Sequence, residues 1–105
     1  MVRLPAKVKS IIDKYLQALS RHNIPIREAI LFGSYAKGNP QEWSDIDIAL
    51  VSEIFGGDWI SDKGKIRKIT LSVSSEIEVI PFSPTDFDSQ NPLVKEILKT
   101  GVKLV

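Results

Sequence analysis

The chain has 105 residues, with an apolar share of 43% and a charged share of 26%, the make-up of one soluble domain over residues 1–105. Its 14 basic and 13 acidic residues leave a net charge of +1, which gives no long-range pull toward nucleic acid or a membrane surface. The absence of cysteine excludes disulfides, thiolate metal sites and a cysteine nucleophile; with no apolar leader and no run long enough to span a bilayer, the expected setting is cytoplasmic.

Residues 6–21 read as an amphipathic helix. Val8, Ile11, Ile12, Tyr15, Leu16 and Leu19 fall on one face, Pro5 suits its start, and Asn23 and Pro25 stop it. Ala29 to Phe32 is a short apolar run ending at Gly33 and reads as a buried strand. Residues 35–44 form a polar connection containing Gly38, Asn39 and Pro40. Ile46 to Val51 reads as a second strand, and residues 52–57 as a loop around Gly56-Gly57. Residues 58–74 have no clean period; a helix over 60–72 is the preferred reading. Glu76 to Pro81 alternates and reads as a third strand that ends at the proline. Ser83 to Asp86 makes a turn or cap. Pro92 to Thr100 is a closing helix with Gly101 as its stop, and residues 102–105 can add a last strand. Helices interleaved with three or four strands define an α/β or α+β class.

Asp45 and Asp47 are two apart on the second strand, so their carboxylates point the same way while Ile46, Ile48 and Leu50 point into the core. Two adjacent carboxylates repel unless a cation lies between them, and magnesium is commonly held by one or two carboxylates plus substrate phosphates. A bare Asp-x-Asp is nevertheless more often a solvated strand face than a site. Gly33-Ser34 adds a strand ending in glycine, which lets a phosphate approach the backbone; a helical turn starting at Ser34 would aim N–H groups and a hydroxyl at it. The simpler alternative is a plain turn with a serine cap. Neither the Gly-Lys-Ser/Thr phosphate loop nor the Gly-x-Gly-x-x-Gly pattern is present. Glu78, with Glu76 as competitor on the same face of the third strand, is the candidate third carboxylate if that strand neighbours the second. Three carboxylates can hold two metal ions about 3.5–4 Å apart for in-line nucleotidyl transfer.

The stretch Leu31-Phe32-Gly33-Ser34-Tyr35-Ala36-Lys37-Gly38, ten residues between Ser34 and Asp45, and then Ser44-Asp45-Ile46-Asp47-Ile48-Ala49-Leu50-Val51 resemble the minimal nucleotidyltransferases of the polymerase-beta-like superfamily. The resemblance extends to Ile77-Glu78-Val79-Ile80-Pro81-Phe82 and to the tail from Val94 to Val102. It implies a short mixed β-sheet flanked by helices, and transfer of a nucleoside monophosphate from a triphosphate, ATP above all. It also implies that Gly33 and Ser34 hold the triphosphate, with Lys37 as a further phosphate contact. Asp45 and Asp47 would bind two Mg2+ ions, and Glu78 would complete the site and help deprotonate an acceptor hydroxyl. Glutamate stands where the family commonly has aspartate. Small members of this family are often antitoxins paired with a HEPN-type toxin, so the resemblance implies a partner protein as acceptor.

The competing reading is a binding module that neutralises its partner by contact alone, for which Ser34, Asp45 and Asp47 would not be needed. Transfer to a small molecule would call for an added substrate-binding region in a longer chain. Direct nucleic-acid binding is disfavoured by the charge balance and by the lack of an aromatic-basic stripe.

Overall fold

The computed structural model describes residues 4–40 and 44–105. The order of elements is α1 (Ala6–Arg21), β1 (Glu28–Phe32), α2 (Ser34–Lys37), β2 (Ile46–Val51), α3 (Trp59–Val73), β3 (Ile77–Phe82), α4 (Pro92–Thr100) and β4 (Val102–Lys103). The four strands form one mixed sheet in the order β3-β2-β1-β4, with β1 antiparallel to both β2 and β4 and β3 parallel to β2. This is the mixed sheet flanked by helices that the sequence implied.

Strand alternation divides the core between the two faces of the sheet. Ala29 and Leu31 of β1, Ile46, Ile48 and Leu50 of β2, and Ile77 and Val79 of β3 face a larger cluster. Helix α1 covers it with Val8, Ile12, Tyr15 and Leu19, and α3 with Ile66 and Ile69. The Tyr15 hydroxyl joins the two helices through Thr70 Oγ1 at 2.7 Å, and burial pushes its pKa up to about 12 against the lowering effect of that hydrogen bond. On the other face Ile30, Ala49, Val51 and Phe82 meet Val94 and Ile97 of α4. Each fully buried Leu or Ile contributes about 1.5–3 kcal/mol over its exposed state, so β2, buried on both faces at most positions, anchors the sheet.

Local chemistry explains the boundaries. Pro5 immediately precedes α1 and its carbonyl accepts from Lys9 N–H at 3.0 Å. Asn23, just past the helix, has φ 58°, a left-handed conformation that asparagine tolerates better than most side chains. Helix α3 is one residue longer at each end than expected. Its period is obscured because Trp59, Ile60 and Leu71 are exposed while the polar Asp62 and Thr70 are buried.

Helix α2 forms the one helical turn from Ser34 and ends at Gly38 in the left-handed conformation, inside the polar connection expected over 35–44, of which residues 41–43 lie outside the described residues. One expectation needs correction: strand β3 does not end at Pro81 but continues to Phe82. Ile46 N–H donates to the Glu76 carbonyl and Ser52 N–H to the Phe82 carbonyl, so even-numbered residues of β3 turn their backbone groups toward β2. Pro81, being odd, turns its missing donor toward the open edge and costs the ladder nothing.

Candidate active site

The central strand places Asp47 between two partners. In register it lies opposite Phe32 at the end of β1 and opposite Glu78 on β3. Asp47, Ala49 and Val51 share the face covered by α4, as do Glu78, Ile80 and Phe82, so both carboxylates stand at the uncovered end of that face. Asp45 is exposed and immediately precedes β2 rather than lying within it. Partial burial raises the Asp47 pKa, and the charges of Asp45 and Glu78 raise it further. Asp47 therefore feels the charge of both other carboxylates. Glu76 lies outside β3, is exposed, and reaches Lys7 at 3.9 Å, so Glu78 is the one that joins the aspartates.

Gly33 links the first motif to the second. It has φ 77° and ψ −153°, a combination essentially restricted to glycine. A Cβ there would overlap Asp47 Oδ2 and lie 3.1 Å from its Cγ. The turn that follows is closed by Lys37 N–H donating to the Gly33 carbonyl at 3.1 Å. Ser34 is the first residue of this turn and half-buried, with glycine rather than serine in the capping position. Lys37 is exposed, and its Nζ is 4.0 Å from Glu96 of α4.

Glu78 has a partner that the sequence did not reveal. Lys63 Nζ donates to Glu78 Oε1 at 2.7 Å, and both side chains are about half exposed. Nothing in a linear reading sets which turn of α3 faces β3. Asp62, the residue before Lys63, was also missed. It is buried and accepts from the N–H groups of Gly56 and Gly57, each at 2.9 Å, and from Lys65 Nζ at 3.1 Å. Burial opposes its ionisation, but the Gly56 N–H, Lys65 and the Gly57 N–H outweigh that and hold its pKa below the ordinary value. Asp62 thereby ties the loop after β2 to the first turn of α3. The Gly56-Gly57 pair ahead of an acidic residue was the one available signal.

Among the described residues, no three His, Cys, Asp or Glu side chains close into a metal cage. The donor set nonetheless suits a hard divalent cation. It consists of carboxylate oxygens only, and their mutual repulsion is what such an ion relieves.

Residues 12–104 match the sequence model of the nucleotidyltransferase domain, and the chain belongs to that family. It is 31% identical, over 93% of its own length and 71% of the relative's, to "Putative protein adenylyltransferase MJ1305" of Methanocaldococcus jannaschii. Among solved structures it resembles a toxin-antitoxin crystallised with AMP-PNP, with a TM-score of 0.59 and 26% identity over 89% of this chain and 71% of that one. It shares its fold with "a putative nucleotidyltransferase from Sulfolobus solfataricus", with a TM-score of 0.60 and 18% identity over 98% of this chain and 89% of that one. The chain is accordingly a nucleotidyltransferase with a mixed α/β fold.

Proposed function

We propose that this protein, acting as one domain over residues 1–105, transfers AMP from ATP to a hydroxyl on a partner protein, and that the partner is a HEPN-type toxin to which it is the cytoplasmic antitoxin. The observation that carries the catalytic part is the placement of Asp47 against Gly33 on one side and opposite Glu78 on the other. The phosphate-approach point and the carboxylates belong to one locus. The adenylyltransferase name of the archaeal relative and the AMP-PNP of the toxin-antitoxin structure support adenine and a protein partner.

Asp45, Asp47 and Glu78 are the residues that would hold two Mg2+ ions. Bound there, magnesium supplies neutralisation of the triphosphate and of the charge that develops during in-line transfer. Gly33 and Ser34 position the triphosphate, with Lys37 as a further phosphate contact. Glu78 takes the proton of the acceptor hydroxyl. The acceptor oxygen forms a bond to the α-phosphorus, the bond from that phosphorus to the β-bridging oxygen breaks, and pyrophosphate leaves.

A second reading, binding without transfer, is favoured by one feature: the ion pair that engages Glu78 with Lys63. Incubation with labelled ATP, magnesium and the partner encoded beside this chain separates the two. Label on the partner is expected. A stable complex without label would leave the contact reading standing alone.

A further inference from the structure

A cleft of about 470 Å³ runs between α3 and the outer edge of β3. Its walls include Ile60, Lys63, Arg67 and Leu71 from the helix and Ile77 and Glu78 from the strand. It shares Glu78 with the candidate site, at the sheet edge where the Lys63 ion pair brings α3 to that carboxylate. Two apolar residues on its helical wall are strongly exposed, Ile60 at 86% and Leu71 at 54%, above the buried Ile66. Two of the cations between Ile60 and Leu71 in sequence, Lys63 and Arg67, line the same wall. Lys63 is engaged by Glu78, whereas Arg67 forms no ion pair among the described residues. Its mouth therefore offers apolar contacts and an uncompensated guanidinium, next to the carboxylate where an acceptor hydroxyl is needed. β3 is also an edge strand, so backbone groups of its outer side are open to an extended guest.

We infer that this cleft receives the acceptor: an extended, acidic and apolar segment of the partner protein, whose hydroxyl it delivers to Glu78. The charge of the cleft selects the guest. A carboxylate beside the hydroxyl would pair with Arg67, a guanidinium suited to bidentate carboxylate contact. Leucine-like side chains would cover Ile60 and Leu71. This inference rests on the transfer reading above, but docking can be measured without nucleotide and so fails or holds separately.

The test is amide chemical-shift mapping on the full chain without ATP. One probe is an acidic hexapeptide carrying a tyrosine and two leucines, and the other is its charge-inverted analogue with lysines. Shifts confined to Ile60, Arg67, Leu71 and Ile77 are expected for the acidic peptide only. Arg67→Glu should weaken that binding about tenfold, and Arg67→Lys less, with both variants melting like the parent. The inference is overturned by equal binding of both peptides, by no binding, or by shifts centred elsewhere. It is also overturned by an Arg67→Glu variant that binds the acidic peptide as well as the parent does. Tighter occupation of the cleft by an RNA oligonucleotide, or by a second copy of this chain at rising concentration, would likewise assign it to another partner. ATP titration of the parent protein in magnesium reports on the transfer reading independently.

Discussion

The Asp47 carboxylate lies where a side chain at position 33 would have to go. The absence of one at Gly33 is thus a requirement of the site as well as of the turn. Gly33→Ala meets two penalties: a backbone conformation costing about 1–3 kcal/mol for any other residue, and an overlap with Asp47. The expected result is a lower melting temperature together with at least a roughly tenfold loss of ATP affinity, as a displaced ligand would cause. Calorimetric titration showing unchanged affinity would break the link between the two motifs.

Asp47→Asn should separate binding from stability. Burial and two neighbouring carboxylates raise the pKa of Asp47, so the folded protein holds that proton more tightly than the unfolded chain does. The stability this contributes is full below the ordinary aspartate value and is lost as pH rises through the raised one. In chelator at neutral pH the asparagine variant should be at least as stable as the parent, with a flatter dependence of melting temperature on pH. It should also lose magnesium-dependent ATP binding, as should Asp45→Asn. A destabilised Asp47→Asn variant in chelator would contradict the repulsion inferred here.

Under the proposed function, Lys63 and a divalent cation would compete for Glu78, which Lys63 engages in the structure. Removing the ammonium in Lys63→Ala should lower the magnesium concentration needed for half-saturation several-fold. Lys63→Arg should keep the parental value, because it preserves the charge. The pair is about half exposed, so its effect on stability is only about 0–1 kcal/mol and should scarcely move the melting curve. A magnesium titration unaffected by Lys63→Ala would show that the pair does not gate the site.

Asp62 has the opposite sign to Asp47. Its pKa is lowered in the fold, so the stability it contributes is present above the ordinary aspartate value and disappears as pH falls through the lowered one. Asp62→Asn keeps the size but weakens two charge-assisted acceptor bonds and the contact with Lys65, at a cost of about 1–3 kcal/mol. Denaturant melts at pH 7 and pH 3 should show a large difference between variant and parent at the higher pH and a smaller one at the lower. An equal difference at both would mean that charge is not what holds the loop.

Much of this was legible in the sequence because it rests on short-range periodicity. The alternation from Ile46 to Leu50 both buried the strand and turned Asp47 out of the core, and α1 buries Val8, Ile12, Tyr15 and Leu19 as its spacing predicted. Placing Glu78 opposite Asp47 needed only that β3 be the neighbour of β2, which the parallel pairing supplies. What escaped depends on contacts between elements. Helix α3 hides its period by burying Asp62 and Thr70 for their hydrogen bonds while leaving Ile60 and Leu71 in solvent. Lys63 became a site neighbour only through the rotation of α3 over β3. Pro81 read as a terminator because its compatibility with an edge strand is a property of the sheet, not of the peptide.

That proline also governs how the molecule behaves in a crowd. Along the outer side of β3, Ile77 and Val79 can donate, and the row is then broken at Pro81. A long strand from another copy, laid against this side, would lose its register of hydrogen bonds after a few residues. The opposite edge is β4, only two residues long and too short to template a partner strand. The sheet can thus greet a short visitor without offering a template on which chains could stack into fibrils.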